Sequence, residues 1–220
     1  MTVVIIAGGN IDIDFTRGFI DDLHESSLFI IACDRGYESC LALGLKPDLV
    51  VGDFDSASEG TLERAISSGV DLVRLNPIKD DTDMEAALGV AIERTSPRDK
   101  IYLMGGTGTR LDHVMGNIAL IGKGILADRA VTMVDSHNLI QMIGAGETLQ
   151  IKKESQFGKY VSVFPYMEIV NGLTMTGFKY PLSNEKVEGF NTLTVSNELL
   201  ADIGEISIKT GKLIIMQTKD

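Results

Sequence analysis

Two aspartates, Asp53 and Asp55, follow the short apolar segment Leu49–Val51 and are separated from it by Gly52. The β-branched and apolar residues of this segment predict a buried strand. Alternate side chains of extended backbone point to the same side, so the two carboxylates would face one point just past the end of the strand. Two negative charges so close together are unfavourable unless a cation or a proton lies between them. The pair therefore predicts half of a Mg²⁺ site.

Other predicted strands are also followed by aspartates. These are Asp34, the group Asp80, Asp81 and Asp83 in the segment KDDTD, and Asp112 after a glycine-rich loop. A single aspartate at such a turn is most often a helix N-cap, and capping is the simpler interpretation of Asp34 or of Asp112 taken alone. One turn needs only one cap, however, and Thr82 can cap the helix after KDDTD. The surplus carboxylates favour Mg²⁺, which binds one or two carboxylates, waters and phosphate oxygens. Chemistry on a polyphosphate is therefore the leading class.

Basic and polar groups occur in the same loops. Lys79 opens KDDTD, and Arg110, whose guanidinium suits bidentate phosphate recognition, follows the loop Gly105–Gly108, whose backbone N–H groups could approach an anion. Each has a plainer alternative: a solvated lysine, a surface or aspartate-paired arginine, and a tight turn. His113 and Asn117 share one helical face, where a packed histidine is the favoured interpretation.

The elements that would position these residues alternate between strand and helix. Predicted strands are Val3–Ala7, Leu28–Cys33, Leu49–Val51, Asp71–Leu75, Ile101–Met104 and Ala130–Val134, and predicted helices are Phe15–Leu23, Tyr37–Leu43, Glu59–Ser68, a helix from the Thr82 cap to Arg94, and Asp112–Gly122. This alternation predicts an α/β fold, with a mostly parallel sheet flanked by helices. Such sheets bind ligands beyond the carboxyl ends of their strands, where the aspartates lie.

The pattern changes after about residue 138. Short apolar segments separated by Gly, Pro and Asn turns replace the helical periodicity. This pattern predicts an antiparallel β-sandwich. The expected domains are therefore an α/β nucleotide-binding catalytic domain over residues 1–138 and a β-sandwich domain over residues 139–220.

Composition limits the partners and the location. The formal net charge of −11 and the pI of about 4.7 argue against sequence-independent binding to nucleic acid. The two cysteines, Cys33 and Cys40, have no zinc-site spacing and are expected to be free buried thiols. The N-terminus lacks a basic signal region, and no apolar run reaches the length of a membrane span. We expect a soluble cytoplasmic protein with no membrane partner.

Familiar nucleotide and hydrolase motifs are absent. The chain has no G-x-x-x-x-G-K-[ST], G-x-S-x-G or H-E-x-x-H sequence. The segment Gly122–Ala127 matches G-x-G-x-x-A by letters, but it follows a helical pattern and not a strand. A dinucleotide-binding turn is therefore not predicted there.

Three segments together resemble the thiamine pyrophosphokinase family: ACDRGYESCLALGLKPDLVVGDFDS, KDDTDMEAAL and GGTGTRLDHVMGNIALI. Two further segments, GLTMTGFKYPLSN and TVSNE, are similar to its C-terminal part. The resemblance implies transfer of a diphosphate group from ATP to the hydroxyl of thiamine, giving thiamine diphosphate and AMP. It also implies a homodimer with active sites at the subunit interface. Ser196 and Asn197 fall where the family holds thiamine, from the partner subunit.

The resemblance assigns the acidic residues to one site. Asp53, Asp55 and Asp83 fall in the family's Mg²⁺ and ATP site, and Asp34 lies beside them. Magnesium held by these aspartates would bridge ATP phosphates, while the thiamine hydroxyl attacks the β-phosphorus in line. An aspartate that does not bind the metal, Asp83 or Asp112, is the expected acceptor of the hydroxyl proton.

The remaining assignments concern the nucleotide. Lys79 and Asp80 begin the block that contacts nucleotide phosphates, and Arg110 and Asp112 line the same cleft. Two alternatives stay open at this point. One is a Mg²⁺-dependent phosphohydrolase that uses a D-x-D pair and a covalent aspartyl phosphate; the other is a non-catalytic nucleotide or thiamine sensor.

Overall fold

The computed structural model describes residues 1–23, 27–53, 60–75, 81–97, 99–189 and 192–220. The chain divides into two compact units, Met1–Ser136 and His137–Asp220. Among the described residues, no helix combines the length and the apolar character that a membrane crossing requires.

The first unit contains the predicted parallel sheet. Its strands are β1 (Thr2–Ile6), β2 (Leu28–Cys33), β3 (Leu49–Gly52), β4 (Asp71–Arg74), β5 (Lys100–Met104) and β6 (Ala130–Val134). They lie in the order β6-β5-β1-β2-β3-β4, and all neighbouring pairs are parallel. The central strand β1 is fully buried, as a near-continuous apolar strand covered on both faces should be. The parallel order brings the carboxyl ends of these strands to one edge of the sheet.

Five helices connect the strands of the first unit. They are α1 (Ile13–Asp22), α2 (Gly36–Leu43), α3 (Thr61–Ser67), α4 (Asp83–Arg94) and α5 (Leu111–Ala127). Local signals set several of their ends. Gly44 ends α2 in the left-handed conformation, with φ of 72°, and Thr82 caps α4 by accepting a hydrogen bond from the Glu85 N–H at 3.2 Å. Both ends agree with the sequence-based prediction.

Helix α5 is longer than predicted. Its pattern was expected to end at Gly122, yet the helix continues to Ala127. A Cβ atom on Gly124 would lie 2.6 Å from Val131 Cγ2, so this glycine permits close packing of the helix on β6. The segment Gly122–Ala127 is therefore helical, in agreement with the exclusion of a dinucleotide-binding turn.

The second unit is built from antiparallel strands. They are β7 (Asn138–Ile143), β8 (Thr148–Lys152), β9 (Tyr160–Pro165), β10 (Val170–Thr176), β11 (Leu182–Val187), β12 (Asn197–Glu198), β13 (Ile203–Ser207) and β14 (Leu213–Thr218). One layer has the order β12-β9-β14-β7 and the other has the order β11-β10-β13-β8. Buried residues from both layers, such as Val163, Leu213, Leu173 and Ile206, form one hydrophobic cluster. This arrangement is the predicted β-sandwich.

Both cysteines are free and buried, as expected. Burial raises the pKa of the Cys40 thiol to about 12, because the low-polarity interior disfavours the thiolate. Cys40 therefore has the properties of a structural thiol, with almost no reactive thiolate at neutral pH.

Candidate active site

The carboxyl ends of β2 and β3 bring two predicted site residues together. The Asp34 N–H donates a hydrogen bond to the Val51 carbonyl at 3.0 Å. A Cβ atom on Gly52 would lie 3.2 Å from both Cα and N of Asp34, so the two backbones are in close contact. Asp53 follows Gly52 directly and is half-buried. Asp34 and Asp53 therefore occupy adjacent strand ends.

Asp34 has an unusual backbone conformation and is strongly buried. Its φ is 47°, in the left-handed region, and it is only 5% exposed. The N-cap of α2 is Arg35, without a side-chain cap hydrogen bond, so the interpretation of Asp34 as the cap is wrong. A buried carboxylate in a strained conformation at a strand end is typical of a functional site.

The start of α4 supplies a third acidic residue. Asp83 is the first residue of the helix and is half-buried. The N-terminus of a helix carries partial positive charge, which favours anions such as phosphate groups. Three of the predicted site residues, Asp55, Lys79 and Asp80, lie outside the described residues.

Within the described ranges, no three His, Cys, Asp or Glu residues are arranged to hold a metal ion. The donor set nevertheless suits magnesium, because Asp34, Asp53 and Asp83 offer only hard carboxylate oxygens. A side chain at position 52 would press against the Asp34 backbone, because its Cβ atom would lie 3.2 Å from Cα and N of Asp34.

The glycine loop after β5 is held by backbone hydrogen bonds from the turn after β1. The Gly9 N–H donates to the Gly105 carbonyl at 3.1 Å, and the Asn10 N–H donates to the Thr107 carbonyl at 2.8 Å. A Cβ atom on Gly9 would lie 2.3 Å from both of these carbonyl oxygens. A glycine is therefore needed at position 9 for the two turns to pair.

Two side chains that the sequence did not mark as site residues also hold this loop. Asn117 Nδ2 donates to the Gly106 carbonyl at 2.8 Å, and Thr107 Oγ1 donates to Asp135 Oδ2 at 2.8 Å. Asp135 follows β6 directly, which is the same signal that marked the other aspartates. The sequence signal for Asn117 was weaker, because it consisted only of its position one helical turn after His113. His113 itself is exposed, so the interpretation of a packed histidine is wrong.

Arg110 and Asp112 form a two-point ion pair at the start of α5. Arg110 Nη2 lies 2.6 Å from Asp112 Oδ2, and Arg110 Nε lies 3.2 Å from Asp112 Oδ1. The His113 N–H also donates to Asp112 Oδ1. The hydrogen bonds from Arg110 lower the pKa of Asp112 to about 2, and those to Asp112 raise the pKa of Arg110. The N-cap of α5 is Arg110, without a side-chain cap bond, so the capping interpretation of Asp112 is also wrong.

This pairing affects the two candidate proton acceptors differently. A carboxylate with a pKa of about 2 is a poor base at neutral pH. Both side chains of the pair are about two-thirds exposed, so an incoming anion has access to the Arg110 guanidinium. The pairing therefore disfavours Asp112 as a proton acceptor and leaves the Arg110 guanidinium accessible from solvent.

The second unit contains the two residues that were expected to hold thiamine, and their surroundings differ. Ser196 is exposed, has a φ of 59°, and donates its N–H to Ser162 Oγ at 2.9 Å. Asn197 is 5% exposed. Its Nδ2 donates to the Tyr180 carbonyl at 2.8 Å, and its Oδ1 accepts from the N–H groups of Tyr180 and Glu198 at 3.0 and 2.9 Å. The Asn197 amide thus serves the structure of the unit, whereas Ser196 presents its side chain at the surface.

A cavity of about 260 Å³ lies at the opposite edge of the parallel sheet. Its lining residues, Lys46, Pro47, Asp48, Gly69, Val70 and Asp71, belong to the amino ends of β3 and β4. Ligands of open α/β sheets bind at the carboxyl ends. This cavity is therefore separate from the candidate site residues Asp34, Asp53 and Asp83.

Comparison with known families covers both units. The family model described as "Thiamin pyrophosphokinase, catalytic domain" matches residues 20–133. A second model, "Thiamin pyrophosphokinase, vitamin B1 binding domain", matches residues 147–215.

Individual proteins resemble the chain over its full length. It is 38% identical to the thiamine pyrophosphokinase of Bacillus subtilis, with 100% of this chain and 99% of that protein covered. The crystal structure of a thiamine pyrophosphokinase from Bacillus subtilis superimposes with a TM-score of 0.88 at 32% identity, with all of both chains covered. A thiamin pyrophosphokinase from Geobacillus thermodenitrificans gives a TM-score of 0.85 at 33% identity, covering 100% of this chain and 98% of that chain. The yeast thiamin pyrophosphokinase shares the fold at 16% identity, with a TM-score of 0.79 and coverage of 98% and 85%.

Proposed function

Because the chain belongs to the thiamine pyrophosphokinase family, we propose that the aspartates at the carboxyl ends of its parallel strands bind Mg²⁺ and ATP. The chain is an enzyme that transfers a diphosphate group from ATP to the hydroxyl of thiamine, giving thiamine diphosphate and AMP. The phosphohydrolase and sensor alternatives are set aside, because both family models match in order along the chain. The observation that carries the site proposal is the contact of Gly52 with Asp34, since it brings Asp34 and Asp53 to adjacent strand ends.

The proposed metal ligands are carboxylates. Asp53 and Asp83, together with Asp55, would hold Mg²⁺, with Asp34 beside them. When bound, the ion neutralises negative charge on the phosphate oxygens of ATP. The acidic side chains orient the triphosphate and keep its β-phosphorus in line with the thiamine hydroxyl, and such positioning accounts for most of the rate in phosphoryl transfer.

The proposed phosphate ligands and the proton acceptor complete the reaction. Arg110 offers its guanidinium fork to phosphate oxygens, and Lys79 and Asp80, which precede α4 in sequence, contact the nucleotide. The thiamine oxygen forms a bond to the β-phosphorus while the bond from that phosphorus to the oxygen of the α-phosphate breaks, and AMP leaves with that oxygen. Asp83 accepts the hydroxyl proton on the carboxylate oxygen that does not bind Mg²⁺, and Asp112 keeps Arg110 oriented until phosphate replaces it.

We further propose a homodimer with active sites at the subunit interface. Exposed apolar side chains next to the proposed site residues support it. Leu111 and Met115, on the first turns of α5, are 74% and 65% exposed. In the second unit, Leu193 and Leu200 flank Ser196 in sequence and are 71% and 68% exposed. Large apolar side chains that stay exposed around a functional site are typical of protein interfaces.

The reaction is tested by resolving the products. The purified protein is incubated with ATP, Mg²⁺ and thiamine, and nucleotides and thiamine esters are separated by ion-pair chromatography. We expect equal amounts of AMP and thiamine diphosphate, and no product when the divalent ion is chelated. ADP or inorganic phosphate in place of AMP would contradict the assigned reaction. Activity that persists under chelation would contradict the Mg²⁺ proposal alone.

A complementation experiment tests the shared active site. Asp53→Asn removes a metal ligand, and Ser196→Arg blocks the thiamine segment with a bulky cation. If each site combines the first unit of one chain with the second unit of its partner, a mixed dimer contains one intact site. Mixing the two inactive variants after partial unfolding and refolding should then restore part of the activity. No recovery in a confirmed mixed dimer would contradict the shared site.

A further inference from the structure

An extra residue interrupts the pairing of strand β9 with the segment that contains Ser196. On one side, the Val163 N–H donates to the Thr194 carbonyl at 3.0 Å, and Thr194 Oγ1 donates to the Val163 carbonyl at 2.5 Å. On the other side, Asn197 pairs with Val161 in the antiparallel register of β12 and β9. Thr194 itself belongs to a turn, in which the Val195 N–H donates to the Thr192 carbonyl at 3.2 Å. The segment is therefore fixed to β9 at Thr194 and at Asn197, on either side of a short interval.

Within this interval the two segments differ in length. Strand β9 contributes only Ser162, whereas the opposing segment contributes Val195 and Ser196. Two residues opposite one is the arrangement of a β-bulge, which bends the strand locally and changes the direction of its side chains. Both Val195 and Ser196 are exposed, so the bulge places them at the surface.

Ser196 adopts a conformation that favours glycine. Its φ of 59° lies in the left-handed region, which is unfavourable for residues with a Cβ atom. Residues held in this conformation by their surroundings cluster at ligand sites, and Ser196 is exposed there.

Buried polar groups hold the bulge on both sides. Ser162 is 6% exposed, and its Oγ accepts the Ser196 N–H at 2.9 Å. The residue after the bulge, Asn197, is tied by its amide to both backbone groups of Tyr180. The Ser196 backbone is thus fixed by an oxygen that a ligand at the surface would not touch.

We propose that Ser162 is a positioning residue for thiamine, which holds the bulge at Ser196 so that the Ser196 hydroxyl faces the substrate. On the other side of the bulge, the Asn197 amide holds the backbone of Tyr180. The inference rests on the proposed function, since it takes Ser196 as a thiamine contact. It adds Ser162 to the residues that determine thiamine binding. It also gives the left-handed backbone conformation of Ser196 a role in that binding.

The test compares Ser162→Ala with Ser196→Ala, using AMP formation to measure KM and kcat for both substrates. Loss of the Ser162 oxygen should raise the KM for thiamine about five- to tenfold, the effect expected for one hydrogen bond. The KM for ATP and the kcat should change less than twofold. Combined with Ser196→Ala, which removes the positioned hydroxyl, Ser162→Ala should raise the KM for thiamine by less than a further twofold.

Two further variants separate positioning from general stability. Ser162→Cys keeps the approximate size of the side chain but replaces its oxygen with a weak acceptor, and it should raise the KM for thiamine as Ser162→Ala does. Ser196→Gly should melt at or above the wild-type temperature, because glycine relieves the left-handed strain, yet it should also raise the KM for thiamine. Ser162→Cys and Ser196→Gly therefore test the positioning role even if Ser162→Ala folds poorly.

The outcomes distinguish the thiamine contact of Ser196 from the positioning role of Ser162. An unchanged KM for thiamine in Ser196→Ala would overturn the assignment of Ser196 to thiamine. A raised KM in Ser196→Ala with an unchanged KM in Ser162→Ala and Ser162→Cys would overturn only the positioning role. Equal effects of Ser162→Ala in the presence and absence of the Ser196 hydroxyl would also overturn it, because they would show a purely structural contribution.

Discussion

Replacement of Gly52 by alanine should disturb the acidic site with little change elsewhere in the protein. The added Cβ atom would lie 3.2 Å from Cα and N of Asp34 and 3.3 Å from its Cβ atom. These atoms are mainly backbone and cannot rotate away. Since ordinary carbon contacts begin near 3.5 Å, β2 and β3 must move apart at this point by about 0.3 Å.

The expected size of the effect follows from that displacement. A misplacement of about 1 Å in a reacting constellation costs on the order of a hundredfold in rate. A shift of about 0.3 Å therefore predicts a three- to tenfold loss of kcat, and we expect a higher Mg²⁺ concentration for half-maximal activity. Overpacking should also lower the free energy of unfolding by about 1–3 kcal/mol.

Gly89→Ala is the matched control. A Cβ atom on Gly89, inside α4, has no neighbour within 4 Å, so alanine there should leave the kinetics unchanged and stabilise the helix by up to about 1 kcal/mol. The assay is AMP formation as a function of Mg²⁺, together with thermal unfolding. Wild-type kcat and Mg²⁺ dependence in Gly52→Ala would refute the inference that the contact with Asp34 sets the geometry of the site.

Three other changes give sharp expectations. Asp55→Asn should leave the fold intact, by circular dichroism and melting, and remove most activity; near-normal turnover would contradict its role as a metal ligand. Asn117→Ala removes the hydrogen bond to the Gly106 carbonyl and should lower the free energy of unfolding by about 1 kcal/mol and raise the KM for ATP, with the KM for thiamine as the internal control. Arg110→Ala should raise the pKa of Asp112 from about 2 toward the ordinary value of about 3.9, measured by NMR titration. Because the pKa of Asp112 is lowered in the folded state, the ion pair stabilises the folded protein above the ordinary pKa. This stabilisation is lost as the pH falls toward 2. If Asp112 titrated at the same pH in both proteins, the pair would not form in solution.

Elements with strong local signals were predicted closely. Helix α4 begins at its Thr82 cap and ends at Arg94 as expected, and strands β2 and β6 have the predicted bounds. Caps and apolar runs act over a few neighbouring residues, which makes them readable from sequence. The end of α5 was missed because Gly122 and Gly124 have low helix propensity, whereas the close approach of Gly124 to Val131 lets the helix continue and pack on β6.

The hypothesis for the candidate site comes from residue types, whereas the contacts of these residues required the structure. Asp34 and Asp53 follow strands β2 and β3, and Asp83 begins the helix after β4. This repeated placement of carboxylates predicted Mg²⁺ and polyphosphate chemistry from residue types alone. The capping interpretations of Asp34 and Asp112 were wrong, because the helices that follow them begin at Arg35 and Arg110. The sequence pattern cannot distinguish a cap from a functional carboxylate when both occupy a strand-to-helix turn.

The sequence by itself determined the alternating α/β pattern, the β-sandwich and, through the motifs shared with the family, the reaction class. These depend on residue type and spacing along the chain. Only the tertiary structure decided which distant groups meet: Asn117 with the Gly106 carbonyl, Thr107 with Asp135, and Ser162 with Ser196. Each of these hydrogen bonds joins segments separated by many residues, and its geometry depends on sheet register and on a bulge that no local pattern encodes. Residue types therefore indicate the class of chemistry, while packing and strand register determine which residues support the candidate site.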